Sequence, residues 1–251
     1  AARSGKGTGG GEPPCGSNTT IIKSGDEYLF ADSGYAYCAD EMRALFRELI
    51  PGFDGMKKRI FVTHADVDHC GLLPMFDEVL ASCGTAECLK LEYENGNGYR
   101  EQNTLHKPYI RMCKILTSYE PVNPEKIKIA DSEKTGDGVL ERTGFLNFGD
   151  LNFEIYCGGG GHLPGESVLI DYANRVVFSG DIFVNLKDMT EQQAQYNRYA
   201  PILMTSVDTD PMLCARERQA LFARLGVGTW QIFGGHGGKK TYTVKTISEQ
   251  S

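Results

Sequence analysis

Short runs of apolar residues, separated by turn-forming residues, begin the patterned part of the sequence. Residues 19–23 and 28–31 are rich in β-branched and aromatic side chains, and a Ser-Gly-Asp turn connects them. Two such runs around a short polar turn are typical of a β-hairpin. Apolar residues then recur at every third or fourth position in residues 42–49, up to Pro51, and this spacing predicts a helix.

The middle of the chain contains one clear strand pattern followed by a long polar segment. Residues 59–62 predict a buried strand, and the apolar spacing of residues 72–80 predicts a second amphipathic helix. Residues 84–140 are polar and turn-rich, and they contain one helical pattern at residues 105–116. We therefore predict a helical insertion at about residues 84–140 that covers the core as a lid.

Strand patterns return in the last part of the chain. Four further strands are predicted at residues 151–156, 167–170, 175–178 and 229–233. Asp210 and Pro211 are a typical helix N-cap and first helical residue. A helix is therefore predicted before the last strand.

The composition is that of a globular protein with one domain. The chain has 251 residues, of which 41% are hydrophobic and 24% are charged, which is enough to bury a large core. Residues 1–18 are rich in Gly and contain Pro, but they have almost no apolar content. We predict a flexible arm at residues 1–18 and one domain at residues 19–251.

Charge, apolar run length and cysteine spacing restrict the partners and the compartment. No apolar run of the sequence approaches the roughly 20 residues of a membrane helix, so no membrane association is expected. The net charge of −7 disfavours nucleic acid as a partner. Eight cysteines without paired spacing, and no pattern of a secretory signal, predict reduced thiols in a cytoplasmic protein. We expect a small-molecule substrate, and the oligomeric state is not predicted.

Four of the five histidines lie in short polar blocks that follow predicted strands. The densest block is the segment from His64 to His69, which holds two imidazoles and two carboxylates in six residues. These groups would be costly to bury together without a compensating cation. A divalent metal ion is the simplest such cation.

The polar blocks together resemble the metallo-β-lactamase superfamily over the chain after residue 18. The blocks are, in order, residues 63–71, 161–167, 178–181 and 235–237. The resemblance implies an α/β fold, the αββα four-layer sandwich. In this fold two mixed sheets are flanked by helices, and the metal ions bind at one edge between the sheets.

The resemblance also implies a dinuclear metal centre and a reaction. The implied ligands are His64, Asp66 and His162 for one ion, Asp68, His69 and His236 for the other, and Asp181 as the bridge. Asp68 and Asp181 are the implied catalytic residues, and Asp68 orients the nucleophile and transfers a proton. The implied protein is a hydrolase that uses a metal-activated hydroxide on a small ester, thioester, lactone or phosphodiester.

Asp66 departs from the commonest family pattern, His-x-His-x-Asp-His. A carboxylate is a harder ligand than an imidazole, so iron and manganese are alternatives to zinc, the metal that we expect. Asp66 also leaves open a di-iron redox or oxygen-binding protein related to the flavodiiron branch. By contrast, the block from His162 to Gly165 resembles the His-x-Pro-Gly of glyoxalase II-like thioesterases and lactonases and favours hydrolysis. A non-catalytic binding module is a third alternative, which the intact ligand set disfavours.

Four residues outside the ligand blocks are candidate substrate contacts. Lys239 and Tyr242 follow His236 closely and are candidates for binding an anionic group. Tyr35 lies where the family's second strand approaches the site. His106 is the one histidine outside the blocks, at the start of the predicted insertion helix. A surface position or packing is the alternative for each of them.

Overall fold

Two mixed sheets form the centre of the protein. The computed structural model describes residues 8–11, 16–132 and 138–246. The first sheet has the strand order β1 (Thr8–Gly11), β2 (Thr19–Ser24), β3 (Glu27–Ala31), β4 (Arg59–Phe61), β5 (Glu78–Ala81) and β6 (Ile127–Ile129). The second sheet has the order β12 (Lys240–Val244), β11 (Gly228–Phe233), β10 (Val176–Phe178), β9 (Ser167–Asp171), β8 (Leu151–Gly158) and β7 (Leu140–Phe148).

Helices cover the outer faces of both sheets. They are α1 (Ala39–Leu49), α2 (Val67–Cys70), α3 (Cys83–Asn95), α4 (Lys107–Thr117), α5 (Glu191–Asn197), α6 (Tyr199–Met204) and α7 (Pro211–Arg224). None of the helices in the described ranges combines the length and the apolar composition that a membrane crossing requires.

Three apolar clusters hold the layers together. Successive side chains of β3 point to opposite faces of the sheet. Phe30 packs with Phe46 of α1 beneath the helices, whereas Leu29 belongs with Phe153 of β8 to the cluster between the sheets. Leu221 of α7 belongs to a third cluster, on the outer face of the second sheet. Full burial of each such side chain contributes about 1.5–3 kcal/mol to folding. The four layers confirm the predicted αββα sandwich.

Strand direction brings several loops together at one edge of the sandwich. The strands β3, β4 and β5 run parallel in the first sheet, and β10 and β11 run parallel in the second. The N–H of Ser167 donates to the carbonyl of Thr63 at 2.9 Å and thereby joins the two sheets. The N–H of Ser179 donates to the carbonyl of Phe233 at 2.9 Å. The loops that carry the histidine blocks therefore meet at this edge.

Most of the predicted elements agree with the structure. The predicted hairpin is β2 and β3, the first predicted helix is α1, and the predicted strands from residue 151 onward are β8 to β11. Asp210 caps α7, because its side chain accepts the N–H groups of Met212 and Leu213.

The predicted helix at residues 72–80 is wrong. Leu73–Met75 form one 3₁₀ turn, and Glu78–Ala81 form β5, which pairs in parallel with β4 and β6. A strand with neighbours on both sides and covered faces accommodates successive apolar residues, such as Val79 and Leu80. Because the apolar run is short, its spacing fits a helix and a buried strand equally well.

The segment at residues 84–140 is more closely integrated than predicted. It contains α3, and its strand β6 extends the first sheet by pairing with β5. The strand β7, which begins at Leu140, was not predicted, and neither were α5, α6 and β12. The segment thus completes the first sheet instead of only covering the core.

The predicted arm, residues 1–18, differs from the structure where the structure describes it. Thr8–Gly11 pairs with β2 as the edge strand β1. The N–H of Asn18 donates to the carbonyl of Gly235 at 2.7 Å. Backbone hydrogen bonds thus attach a segment that has few apolar side chains to bury. The other residues before position 16, including Cys15, lie outside the described residues.

Candidate metal centre

Asp32 fixes the loop that carries the first histidine block. Asp32 Oδ1 accepts the backbone N–H of Thr63 at 2.8 Å, and its Oδ2 accepts the Thr63 hydroxyl at 2.9 Å. The same Oδ2 accepts a hydrogen bond from His69 Nδ1 at 3.1 Å. One buried carboxylate thus holds both ends of the block, and it leaves His69 Nε2 facing the centre.

The Thr63 hydroxyl also sets the tautomer of His64. Because this hydroxyl donates to Asp32, its oxygen accepts from His64 Nδ1, which is 3.0 Å away. The lone pair of His64 is then on Nε2. Burial and the neighbouring imidazoles of His69 and His162 lower the pKa of His64 well below its ordinary value of 6.5. The imidazole of His64 is therefore neutral at physiological pH, and its Nε2 lone pair is available to a metal ion.

Six of the seven predicted ligands form two groups of three. Within each group the ligand atoms lie within 4.8 Å of one another. The first group, which we call the His64 half, consists of His64, His162 and Asp181. The second group, the His69 half, consists of Asp68, His69 and His236. Three protein donors are the usual number in a catalytic zinc site.

Asp181 lies between the two halves. Its Oδ1 is 3.4 Å from His69 Nε2, and its Oδ2 is 3.6 Å from His162 Nε2 and 3.4 Å from His236 Nε2. The two oxygens of one carboxylate thus approach imidazoles of both halves. This is the position that a bridging ligand requires.

The donor atoms fit divalent metal ions. His64 Nε2, His69 Nε2 and Asp181 Oδ1 are buried and have no hydrogen-bond partner among the described residues. A buried polar atom without a partner costs about 1–3 kcal/mol, so the arrangement is costly unless it binds a cation. Imidazole nitrogens together with carboxylate oxygens suit zinc, iron and manganese.

Two carboxylates, the partly buried Asp208 and the buried Glu166, hydrogen-bond to the ligand residues from outside the centre. Asp208 Oδ1 accepts a hydrogen bond from His162 Nδ1 at 2.8 Å. With its Nδ1 bonded in this way, His162 presents Nε2 to the centre. Glu166 accepts the N–H groups of Asp181 and Ile182 at 2.7 and 3.1 Å. Burial raises the pKa of Glu166 to about 8. Such partners orient metal ligands. No pattern in the sequence points to Asp208, which lies 46 positions after His162.

Asp66, the seventh predicted ligand, lies beside the centre and faces Arg100. Arg100 Nε is 2.6 Å and 2.8 Å from the two carboxylate oxygens of Asp66. Burial alone would raise the pKa of Asp66, but the Arg100 guanidinium, together with His162 and His64, holds that pKa below its ordinary value. Arg100 was not among the predicted site residues. The one available signal was the additional charge of Asp66, which needs a partner when it is buried.

The metal centre opens into a cavity with largely apolar walls. The cavity has a volume of 170 Å³ and reaches both halves of the centre. The helices α4, α5 and α6 supply much of its wall through Tyr109, Ile110, Tyr196, Ala200, Pro201 and Met204. Because α5 and α6 were not predicted, this part of the wall was not predicted either.

The four predicted substrate contacts have different positions. Tyr35 lines the cavity at the metal centre. His106 lines a separate cavity of 490 Å³. Tyr242 packs against Phe222 with ring centroids 4.9 Å apart, and Lys239 is exposed. Neither Lys239 nor Tyr242 lines the cavity at the metal centre, because both lie at β12, the edge strand beyond β11.

Metal binding to the His69 half is expected to release protons. Burial alone would lower the pKa of His69, but the carboxylates of Asp181, Asp68 and Asp32 raise it from 6.5 to about 9. Without a metal ion the imidazole is therefore protonated at neutral pH, and the ion must displace that proton. The apparent zinc affinity should increase by about tenfold per pH unit up to about pH 9 for each proton released.

Calorimetry of zinc binding in buffers with different ionisation enthalpies measures the released protons directly. An apparent affinity that stays constant between neutral pH and the pKa of His69 would contradict this prediction.

The sequence matches the family model of the metallo-beta-lactamase superfamily over residues 13–203. This match includes the first three histidine and aspartate blocks. No curated protein matches the chain in a sequence comparison.

Solved structures with the same fold support the family match. A metallo-beta-lactamase family protein from Thermus thermophilus, TTHA1429, has a TM-score of 0.60 and 15% identity, with 89% of this chain and 69% of that chain covered. The BLEG-1 B3 metallo-beta-lactamase has a TM-score of 0.55 and 20% identity, with 93% of each chain covered. AidC, a dizinc quorum-quenching lactonase, has a TM-score of 0.51 and 16% identity, with 92% of this chain and 76% of that chain covered. Because the family model covers more than half of the sequence, and the structure has the corresponding fold, this chain belongs to the metallo-beta-lactamase superfamily.

Proposed function

We propose that this protein is a metal-dependent hydrolase that cleaves a small carboxylic ester, thioester or lactone bearing an apolar group. The observation that carries the proposal is the pair of ligand groups, joined by Asp181, at the base of an apolar cavity. When bound there, two divalent ions supply a polarising charge and lower the pKa of a water molecule that serves as nucleophile. We propose zinc as the metal, with iron and manganese as alternatives.

Asp68 is the residue that we propose for proton transfer. It lines the cavity, and its side chain is 17% exposed. Its Oδ2 lies 3.2 Å from His236 Nε2, so Asp68 stands at the boundary between the centre and the substrate space. A carboxylate in this position can take a proton from the attacking water and deliver it to the leaving group.

The lining of the cavity supports an uncharged substrate. Among the described residues that line it, Arg100 is the one lysine or arginine, and its charge is paired with Asp66. A phosphodiester would therefore find no further side-chain cation there apart from the histidines of the centre. Apolar and aromatic walls instead favour an acyl chain or a similar apolar group, because its burial contributes about 25 cal/mol per Å².

The pairing of Asp66 with Arg100 also weakens the redox alternative. That alternative rests on Asp66, because an additional carboxylate makes a centre more anionic and stabilises a higher metal charge. Arg100 is 4% exposed and contacts both oxygens of Asp66, so its charge offsets that of the carboxylate. While Arg100 faces Asp66, the combined charge of the pair is therefore close to that of the neutral histidine in the commoner ligand set.

A substrate panel under controlled metal and oxygen conditions tests the proposal. Metal-free protein is reconstituted with zinc alone and kept anaerobic. It is then assayed with p-nitrophenyl esters of increasing acyl length, acyl thioesters, acyl lactones and bis(p-nitrophenyl) phosphate. We expect turnover of one or more acyl substrates, faster with a medium acyl chain than with acetate, and loss of turnover on chelation.

Two outcomes would contradict the proposed function in different ways. Activity on the phosphodiester alone would refute the substrate class and leave metal-dependent hydrolysis intact. Activity restricted to iron-loaded protein supplied with oxygen and a reductant would replace hydrolysis by the redox alternative.

A further inference from the structure

Arg100 contacts the ligand atoms of the metal centre itself. Its Nε lies 2.6 Å and 2.8 Å from the two oxygens of Asp66, on the side where a carboxylate chelates an ion. Its Nη2 lies 3.1 Å from His162 Nε2, and His162 Nδ1 is already occupied by Asp208. The guanidinium thus lies on the chelating side of Asp66 and against the nitrogen with which His162 would bind a metal ion.

These contacts and metal binding exclude each other. A guanidinium has only donors, so Nη2 can bond to His162 only through the Nε2 lone pair that an ion needs. Arg100 keeps its charge at any physiological pH, and two positive charges a few ångströms apart in a buried site repel strongly. An ion in the His64 half therefore requires the Arg100 side chain to move.

The chain holds Arg100 at the centre through a buried network. Arg100 belongs to a 3₁₀ turn at Tyr99–Gln102, in which Glu101 accepts the N–H of Gly98 at 2.7 Å. Glu101 is buried and also pairs with Lys114 of α4. These contacts of Glu101 fix the backbone of the 3₁₀ turn and thereby the position from which the Arg100 side chain extends.

The structure also provides a place for the displaced guanidinium. Arg100 lines the second cavity, of 490 Å³, in addition to the cavity at the metal centre. Asp208 lines this second cavity as well and offers a carboxylate partner. A change of side-chain torsions would move Arg100 from Asp66 towards Asp208 without a change of the backbone.

We propose that Arg100 is a built-in competitor for the metal ion of the His64 half. This inference rests on the metal dependence in the proposed function. The His69 half, to which Arg100 makes no hydrogen bond in the described part of the chain, takes its ion first. The His64 half takes its ion only when Arg100 withdraws, so the two ions bind in sequence and the second binds more weakly.

Zinc stoichiometry in matched variants tests the competition. Metal-free wild-type protein, Arg100→Met and Arg142→Met are each dialysed against a series of zinc buffers, and bound zinc is measured by mass spectrometry. Arg142 is an exposed arginine paired with Glu154, so its substitution makes the same change of charge away from the centre. Wild type and Arg142→Met should bind the second ion at least about tenfold more weakly than Arg100→Met does, since removal of a competing charge favours the ion.

Each outcome decides a separate question. An unchanged or weaker second binding step in Arg100→Met would overturn the competition, because Arg100 would then support the site. Absence of zinc, iron and manganese from all three proteins, each dialysed against the three metals in turn, would refute the proposed function and the competition with it. If Arg100→Met does not fold, a crystal structure of wild type at saturating zinc decides. We expect Arg100 to have left Asp66, and a guanidinium that still contacts Asp66 beside two ions would overturn the proposal.

Discussion

Asp181→Ala is expected to leave fewer than about one metal ion per chain and to slow hydrolysis by more than about 100-fold. The oxygens of Asp181 lie 3.4 Å from His69 Nε2 and 3.6 Å from His162 Nε2, so one substitution removes a donor from both halves. Loss of a residue that only orients a ligand costs roughly 10- to 100-fold in affinity or activity. Loss of a shared ligand should cost more. Metal analysis after dialysis and the initial rate on the best substrate measure both effects.

Lys239→Ala is the matched control for Asp181→Ala. Lys239 follows His236 closely in the sequence, but its side chain is exposed and does not line the cavity at the metal centre. The control should therefore retain its metal ions and its rate. Equal loss of metal in the two variants would contradict the bridging position of Asp181.

The position of the candidate site could be predicted from the sequence because its blocks are local. The segment from His64 to His69 follows β4 directly, and Asp181 follows β10 within a few residues. A short block at the end of a strand is readable from spacing alone, since the strand fixes where its loop begins. The structure brings these blocks to one edge of the sandwich, as the resemblance implies.

Residues that reach the site from distant segments could not be predicted. Arg100 lies 34 positions from Asp66 and 62 positions from His162 in the sequence. No local pattern marks such a residue, because its role depends on how α3 and α4 pack over the first sheet. The same holds for the cavity wall formed by α5 and α6. Their short, partly exposed sequences carry only a weak periodic signal.

Gly235→Ala is expected to disrupt both halves of the centre through a single methyl group. Gly235 lies between β11 and His236, and its N–H donates to the carbonyl of Gly180 at 2.8 Å. A Cβ at this position would overlap with Asp181 Oδ1 and lie 2.6 Å from His69 Cε1. Gly235 is not among the glycines with positive φ, so the effect is steric.

The methyl group would displace Asp181 or His69, and either movement should prevent the ions from binding side by side. We expect metal content to fall as far as in Asp181→Ala, with a loss of about 1–3 kcal/mol of stability from overpacking. Gly226→Ala is the control, because a Cβ there meets no atom of the described residues within 4 Å. Metal analysis and chemical unfolding of both variants measure the two effects. A Gly235→Ala protein with full metal content would contradict this prediction. It would show that the loop after β11 can move away from Asp181 and His69, so that the close packing of Gly235 is not required for metal binding.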